Sequence, residues 1–167
     1  ATLELYLVRH AIAAERGPKY PDDRKRPLTP EGLKRFKDAV AGLVALGLEL
    51  DVILTSPLTR AEETATLLAT GFRKRVPMEP LEALAPGGKP SAIIEAIKTH
   101  AKRHRRIAIV GHEPDLGELA ARLLGARGHV EFRKGAVCAI DVDCATPGGP
   151  GTLRFLLPPR MLRRLAP

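Results

Sequence analysis

The stretch Leu3-Glu4-Leu5-Tyr6-Leu7-Val8-Arg9-His10 is a mostly apolar run that stops at two polar side chains. Such a run, bounded by charge, reads as a buried strand with reactive groups at its carboxyl end. The arrangement recurs twice. Asp51-Val52-Ile53-Leu54-Thr55 leads into Ser56-Pro57, and Ile107-Ala108-Ile109-Val110 leads into Gly111-His112. Each run precedes a helical pattern, and strands alternating with helices predict an α/β fold. The expectation is a three-layer sandwich, a mostly parallel central sheet with helices on both faces, in one domain over residues 1–167.

The helices are read from their caps and apolar faces. Thr29 caps a first helix, with Pro30 in its first turn and Leu33, Phe36, Val40, Leu43 and Val44 on one face; Gly47 stops it. Ser56-Pro57 has the form of a second cap, for a helix ending near Gly71. Ser91 caps a third, whose face carries Ile93, Ile94, Ile97 and Ala101. Pro114 opens a fourth, with Leu116, Leu119, Ala120, Leu123 and Leu124 inward and Gly125 closing it. Residues 76–81 read as a short strand. Residues 135–142 and 152–157 read as two late strands joined by a turn, ahead of a short basic helix after Pro158-Pro159.

Composition narrows the function classes. Of 167 residues, 44% are hydrophobic and 28% charged, which fits a globular protein. No apolar run reaches the ~18 residues of a membrane span, and no secretory signal is visible. Lys and Arg number 27 against 19 Asp and Glu, a net charge of +8 that favours anionic partners. Aromatics are 4% and Trp is absent, so base stacking is poorly supplied and nucleic acid is an unlikely partner. Cys138 and Cys144 cannot build a disulfide framework. On one strand, six residues at about 3.3 Å each hold them too far apart to bond. Free thiols predict a cytoplasmic protein.

In parallel α/β sheets the carboxyl ends of the strands share one edge, where ligands bind. That rule brings Arg9, His10, Arg60 and His112 together from distant parts of the chain. Guanidinium forks bind phosphate oxygens. A neutral imidazole accepts a phosphoryl group, and nearby arginines favour the neutral form. The same arginines offset the charge on the transferring group.

These residues also lie in motifs. The segments LYLVRHA (5–11), LTPEG (28–32), TSPLTRAEETA (55–65) and VGHEP (110–114) together resemble the histidine phosphatase superfamily, which includes the cofactor-dependent phosphoglycerate mutases. Ala11 stands where that group usually has Gly. Residues 26–29 (RPLT), 86–88 (PGG) and 156–160 (LLPPR) are similar to its short, SixA-type phosphohistidine phosphatase branch. About three dozen residues separate Gly71 from Ile107, and one helix uses many of them, so no cap insertion is expected. The resemblance implies an open site and a metal-independent phosphatase that needs no cofactor. Its substrate would be phosphohistidine on a protein, or alternatively a small phosphate ester. It makes His10 the phosphorylated nucleophile and Arg9, Arg60 and His112 the holders of the phosphoryl group. Glu82 is the best match to the general acid of the mutase-like relatives, with a solvated glutamate as the alternative. In the charged loop before the Leu-Thr-Pro motif, Arg26 is the residue best placed to meet an anionic substrate or an acidic partner protein, with a solvated loop as the alternative. A basic binding module with a vestigial site is the reading from another class, and it rests on charge alone.

Other signals carry less. Asp141-Val142-Asp143 resembles the aspartate motif of haloacid-dehalogenase phosphatases, but too little chain follows it. Cys144 has Pro150, not Arg, six residues on, which excludes a cysteine-phosphatase loop. Gly88-Lys89 lacks the rest of a Walker A motif. His100 and His104 have i, i+4 spacing but sit in a cationic cluster, so a solvated helix end is expected rather than a metal site. His129 shows no partner in the sequence.

Overall fold

A computed structural model describes residues 1–167. Its elements are β1 (Thr2–Arg9), α1 (Pro30–Ala45), β2 (Val52–Thr55), α2 (Thr59–Thr70), β3 (Met78–Pro80), α3 (Pro90–His100), β4 (Arg106–Gly111), α4 (Asp115–Leu123), β5 (Val137–Asp143), β6 (Thr152–Leu157) and α5 (Pro159–Leu165). Single 3-10 turns lie at Asp23–Lys25 and Glu82–Leu84.

Six strands form one sheet in the order β3-β2-β4-β1-β5-β6. The pairs β3–β2, β2–β4 and β4–β1 are parallel. The pairs β1–β5 and β5–β6 are antiparallel, as the short turn between the last two strands requires. The sheet is therefore mostly parallel, and the α/β fold is as expected.

Side-chain alternation divides the core into two layers. Leu3, Leu5 and Leu7 of β1 join Val52, Leu54, Ile107 and Ile109 on one face, covered by Ile93 and Ile97 of α3 and Leu116, Leu119 and Leu123 of α4. Tyr6 and Val8 join Ile53, Ala108 and Val110 on the other, beneath Phe36, Val40 and Leu43 of α1, Ala61, Ala65 and Leu68 of α2, and Leu162 of α5. Apolar runs without polar alternation are what a doubly covered sheet demands. Gly42 lets α5 close onto α1, since a Cβ there would sit 1.9 Å from the Leu162 carbonyl oxygen.

Several local readings need correction. Thr29 does cap α1, accepting from Gly32 N–H at 2.9 Å. Val44 is exposed, however, whereas its neighbour Leu43 is fully buried, so the apolar face of α1 passes through Leu43 and not Val44. Ser56-Pro57 is not a helix cap: α2 begins at Thr59, and Leu58 precedes it without a side-chain cap. Ser91 is not a cap either, because Pro90 already occupies the first helical position. Cys144 lies one residue beyond β5, and both thiols are free. No helix is long and apolar enough to cross a membrane.

Candidate active site

The carboxyl ends of β1, β4 and β2 are stitched side by side. His10 N–H donates to the Gly111 carbonyl at 3.0 Å, and Ser56 N–H donates to the Val110 carbonyl at 2.9 Å. These bonds bring His10, His112 and the start of α2 to one edge, as strand-end convergence predicts. The rings of His10 and His112 have centroids 5.1 Å apart, tilted by 53°. Both are buried, and so is Arg60.

His10 is held in one tautomer. Its Nδ1–H donates to the Ala11 carbonyl at 2.7 Å. In a neutral ring the lone pair is then on Nε2. Burial is the main reason its pKa falls to about 4, and the charges of Arg60, Arg9 and Arg26 push the same way. Burial likewise brings His112 down to about 3, helped by His10, Arg60 and Arg9. Both imidazoles are neutral at physiological pH.

Three buried polar atoms in this region have no hydrogen-bond partner: Arg9 Nε, Arg60 Nε and His112 Nδ1. Buried polar groups are nearly always paired, so three orphans on three residues of one cluster mark a place built for a polar ligand. Arginine Nε is always a donor, and the ligand that suits two guanidinium groups is an oxyanion.

The supporting bonds fix where these groups lie. Arg9 Nη1 donates to the Phe132 carbonyl at 2.8 Å. The Phe132 segment is itself held by Glu113, whose carboxylate accepts from Phe132 N–H at 3.2 Å and Gly117 N–H at 2.7 Å. Gly135 N–H bridges the carbonyls of Arg9 and His10 at 3.1 and 3.0 Å, and its φ of +80° favours glycine. Thr64 links the other side. Its hydroxyl donates to the Arg60 carbonyl at 2.7 Å and accepts from Ala11 N–H at 3.0 Å. His112 Nε2 lies 2.8 Å from Ser56 Oγ, which also accepts from Leu58 N–H at 3.2 Å.

Arg60 is tied to the 3-10 turn beside it, with Nη1 on the Asp23 carbonyl at 2.8 Å and Nη2 on Asp23 Oδ2 at 3.1 Å. Arg26 is half-buried and shares that carboxylate at 3.1 Å, also donating to the Ala14 carbonyl at 2.7 Å. Burial pushes the Asp23 pKa up, but Arg60 and Arg26 outweigh it and hold the carboxyl below its ordinary value. Glu82 lies at the edge of this region. It is largely exposed, with its carboxylate 3.3 Å from Arg24.

A match between residues 5–85 and the model for the histidine phosphatase superfamily (branch 1) agrees with this arrangement. An uncharacterized protein of Picosynechococcus sp. PCC 7002 is 41% identical over 146 residues, covering 86% of this chain and 87% of the relative. The chain belongs to the histidine phosphatase superfamily. Within that superfamily it is similar to the phosphohistidine phosphatase SixA of Escherichia coli, at 25% identity over 96% of this chain and 97% of SixA. The structure of the protein histidine phosphatase SixA complexed with tungstate superposes with a TM-score of 0.86 at 24% identity, covering 96% of this chain and 99% of that one. An α-ribazole phosphatase from Shigella flexneri shares the fold more loosely, with a TM-score of 0.69 at 20% identity over 92% and 96% of the two chains.

Sequence reasoning missed Ser56, Thr64, Asp23 and Glu113 of this histidine phosphatase. Ser56 was disguised by the Ser-Pro signature of a helix start. Thr64 was legible in principle, because it stands four residues after Arg60 on the same helix face. The other histidines differ from expectation. His129 does have a partner, Glu113 at 2.9 Å. His100 is not merely solvated: it bonds Glu79 and the Ala96 carbonyl. Burial opposes its protonation, but those two bonds raise its pKa.

Proposed function

We propose that this histidine phosphatase hydrolyses phosphohistidine on a protein through a phosphorylated His10. The observation that carries the proposal is a neutral His10, its Nδ1–H spent on the Ala11 carbonyl, among three unpartnered buried nitrogens, two of them guanidinium donors. His10 Nε2 attacks phosphorus, and the bond from phosphorus to the substrate imidazole breaks; that ring, protonated on its other nitrogen, takes the bonding pair and leaves as neutral imidazole. Water then attacks the phosphorus carried by His10, orthophosphate leaves, and Nε2 regains its lone pair. Arg9 and Arg60 meet the negative charge spread over the equatorial oxygens, which is the task a metal ion performs in other phosphatases.

Ser56 acts as a positioning residue in this reading. Its oxygen already accepts from Leu58 N–H, and its hydroxyl proton goes to His112 Nε2. Neutral His112 then carries its own proton on Nδ1, the orphaned atom, as a further donor to the phosphoryl group. Ionic repulsion between two adjacent imidazolium groups is avoided because both rings stay neutral.

The substrate assignment rests on openness and on leaving-group chemistry. Between α2 and β4 the chain holds only β3, a 3-10 turn and α3, which leaves no covering domain over the edge. A phosphorus–nitrogen bond to imidazole breaks more readily than an ester bond, so an exposed Glu82 need not serve as a strong acid. General acid catalysis is worth roughly 10²–10⁴-fold when it is needed. A small phosphate ester is the second reading, supported by the α-ribazole phosphatase likeness; Glu82 would be its acid.

A labelled phosphodonor, quenched without acid, is expected to label the wild-type chain and not His10→Ala, and chelation by EDTA leaves the labelling unchanged. Labelling that persists in His10→Ala would overturn the mechanism. High turnover of phosphate esters with none of a phosphohistidine peptide, and a large loss in Glu82→Gln on esters, would favour the second reading.

A further inference from the structure

One recess of the molecule lies apart from the catalytic residues. A cavity of about 340 Å³ opens between α1, α5 and the 132–135 segment. None of Arg9, His10, Arg60 or His112 lines it. It nevertheless adjoins the catalytic backbone, because Ala11 and Gly135 form part of its wall.

Its lining is cationic. Arg133, Lys134, Arg160 and Arg163 surround it, and no acidic side chain does. Arg35 also borders it but is already paired with Glu31. The opposite flank of the catalytic edge is built differently: Arg16, Arg24, Arg26 and Arg60 are all paired with Asp23 or Glu82. Four like charges around one concavity raise its potential and favour a multiply charged anion. Guanidinium forks match phosphoryl oxygens in particular. The floor, by contrast, is apolar, formed by Phe36 and Pro159 among others, and the volume lies near the lower end for small-ligand sites.

We infer that this recess is a second anion site, binding a compact polyphosphate, inorganic or nucleoside-borne, beside the catalytic pocket. Concavity and volume favour a small ligand over an acidic protein face. Two or more phosphoryl groups are needed to answer four cations, and the apolar floor leaves room for an organic body.

The test uses the full chain carrying His10→Ala, so that no ligand is consumed. Isothermal titration calorimetry at low salt compares inorganic tripolyphosphate with ATP. Adding Arg133→Glu and Arg160→Glu together is expected to weaken tripolyphosphate binding at least tenfold, and adding Arg60→Ala instead to change it less than twofold. Thermal melts establish that each variant is folded. Tighter binding of ATP than of tripolyphosphate assigns the floor to a nucleoside; equal binding assigns the site to the phosphate chain alone. Three outcomes would overturn the inference: loss of binding that follows Arg60, no binding of either probe, or capture of a poly-glutamate peptide in preference to both.

Discussion

The two edges of the sheet treat their polar groups in opposite ways. At the amino-terminal edge of β2 and β4, Asp51 Oδ2 accepts from Arg105 N–H and Arg106 N–H, both at 2.9 Å. Arg106 also pairs with Glu49. That edge is satisfied and structural. At the carboxyl edge, Arg9 Nε, Arg60 Nε and His112 Nδ1 are buried without partners, and two imidazoles are desolvated. Unmet hydrogen-bonding capacity is costly in a fold, so its concentration at one edge separates the part of the molecule that binds from the part that holds.

The widest separation is expected from a pair of substitutions. His10→Ala should lower kcat by at least ~10⁴-fold, as loss of a covalent nucleophile does, while leaving the melting temperature near that of the wild type. Asp51→Ala should do the reverse, leaving kcat unchanged and costing about 1–2 kcal/mol in urea denaturation for its two backbone bonds. A loss of activity in Asp51→Ala equal to that in His10→Ala would break the comparison. Next in size is Arg60→Ala, with an expected fall of roughly 10²–10³-fold in kcat, the scale of one lost charge-stabilising donor. Ser56→Ala is a smaller effect, about tenfold in kcat with KM little changed. It should also alter the imidazole ¹⁵N shifts of His112, which a purely structural serine would not do.

The smallest effect on rate comes from pH. Neutral His10 is the reactive form, and its pKa lies near 4, so the free enzyme's acid limb in kcat/KM should fall below about pH 5 rather than near the 6.5 of an ordinary histidine. Stability shows the same groups differently. Between about pH 6.5 and 4 the unfolded chain binds a proton at His10 that the folded chain refuses, so stability falls as pH falls through that window. For His10 alone the loss is on the order of 3 kcal/mol, and His10→Ala should flatten the pH dependence of the urea midpoint.

The carboxyl edge was readable from sequence because its residues end strands. A polar pair after Leu3–Val8 and a histidine after Ile107–Val110 announce themselves, and helical periodicity marks α1, α3 and α4. Partners distant in sequence were not readable. Glu113 and His129, or Glu79 and His100, meet only through tertiary packing. Ser56 was misread because serine before proline carries a local meaning, while its bond to His112 spans 56 positions. Strand order was hidden for the same reason: β1 lies between β4 and β5, neither of them its neighbour along the chain.

The register of β1 against β4 pairs Arg9 with Gly111, which places His10 and His112 level, each one step beyond the last rung. A slip of one residue would exchange Ile107 and Ile109 with Ala108 and Val110 between the two layers, putting side chains of the wrong size into both cores. The oxyanion receptor and the hydrophobic interior thus depend on a single alignment. A chain that has packed both layers in this register has, in the same event, brought the two imidazoles level.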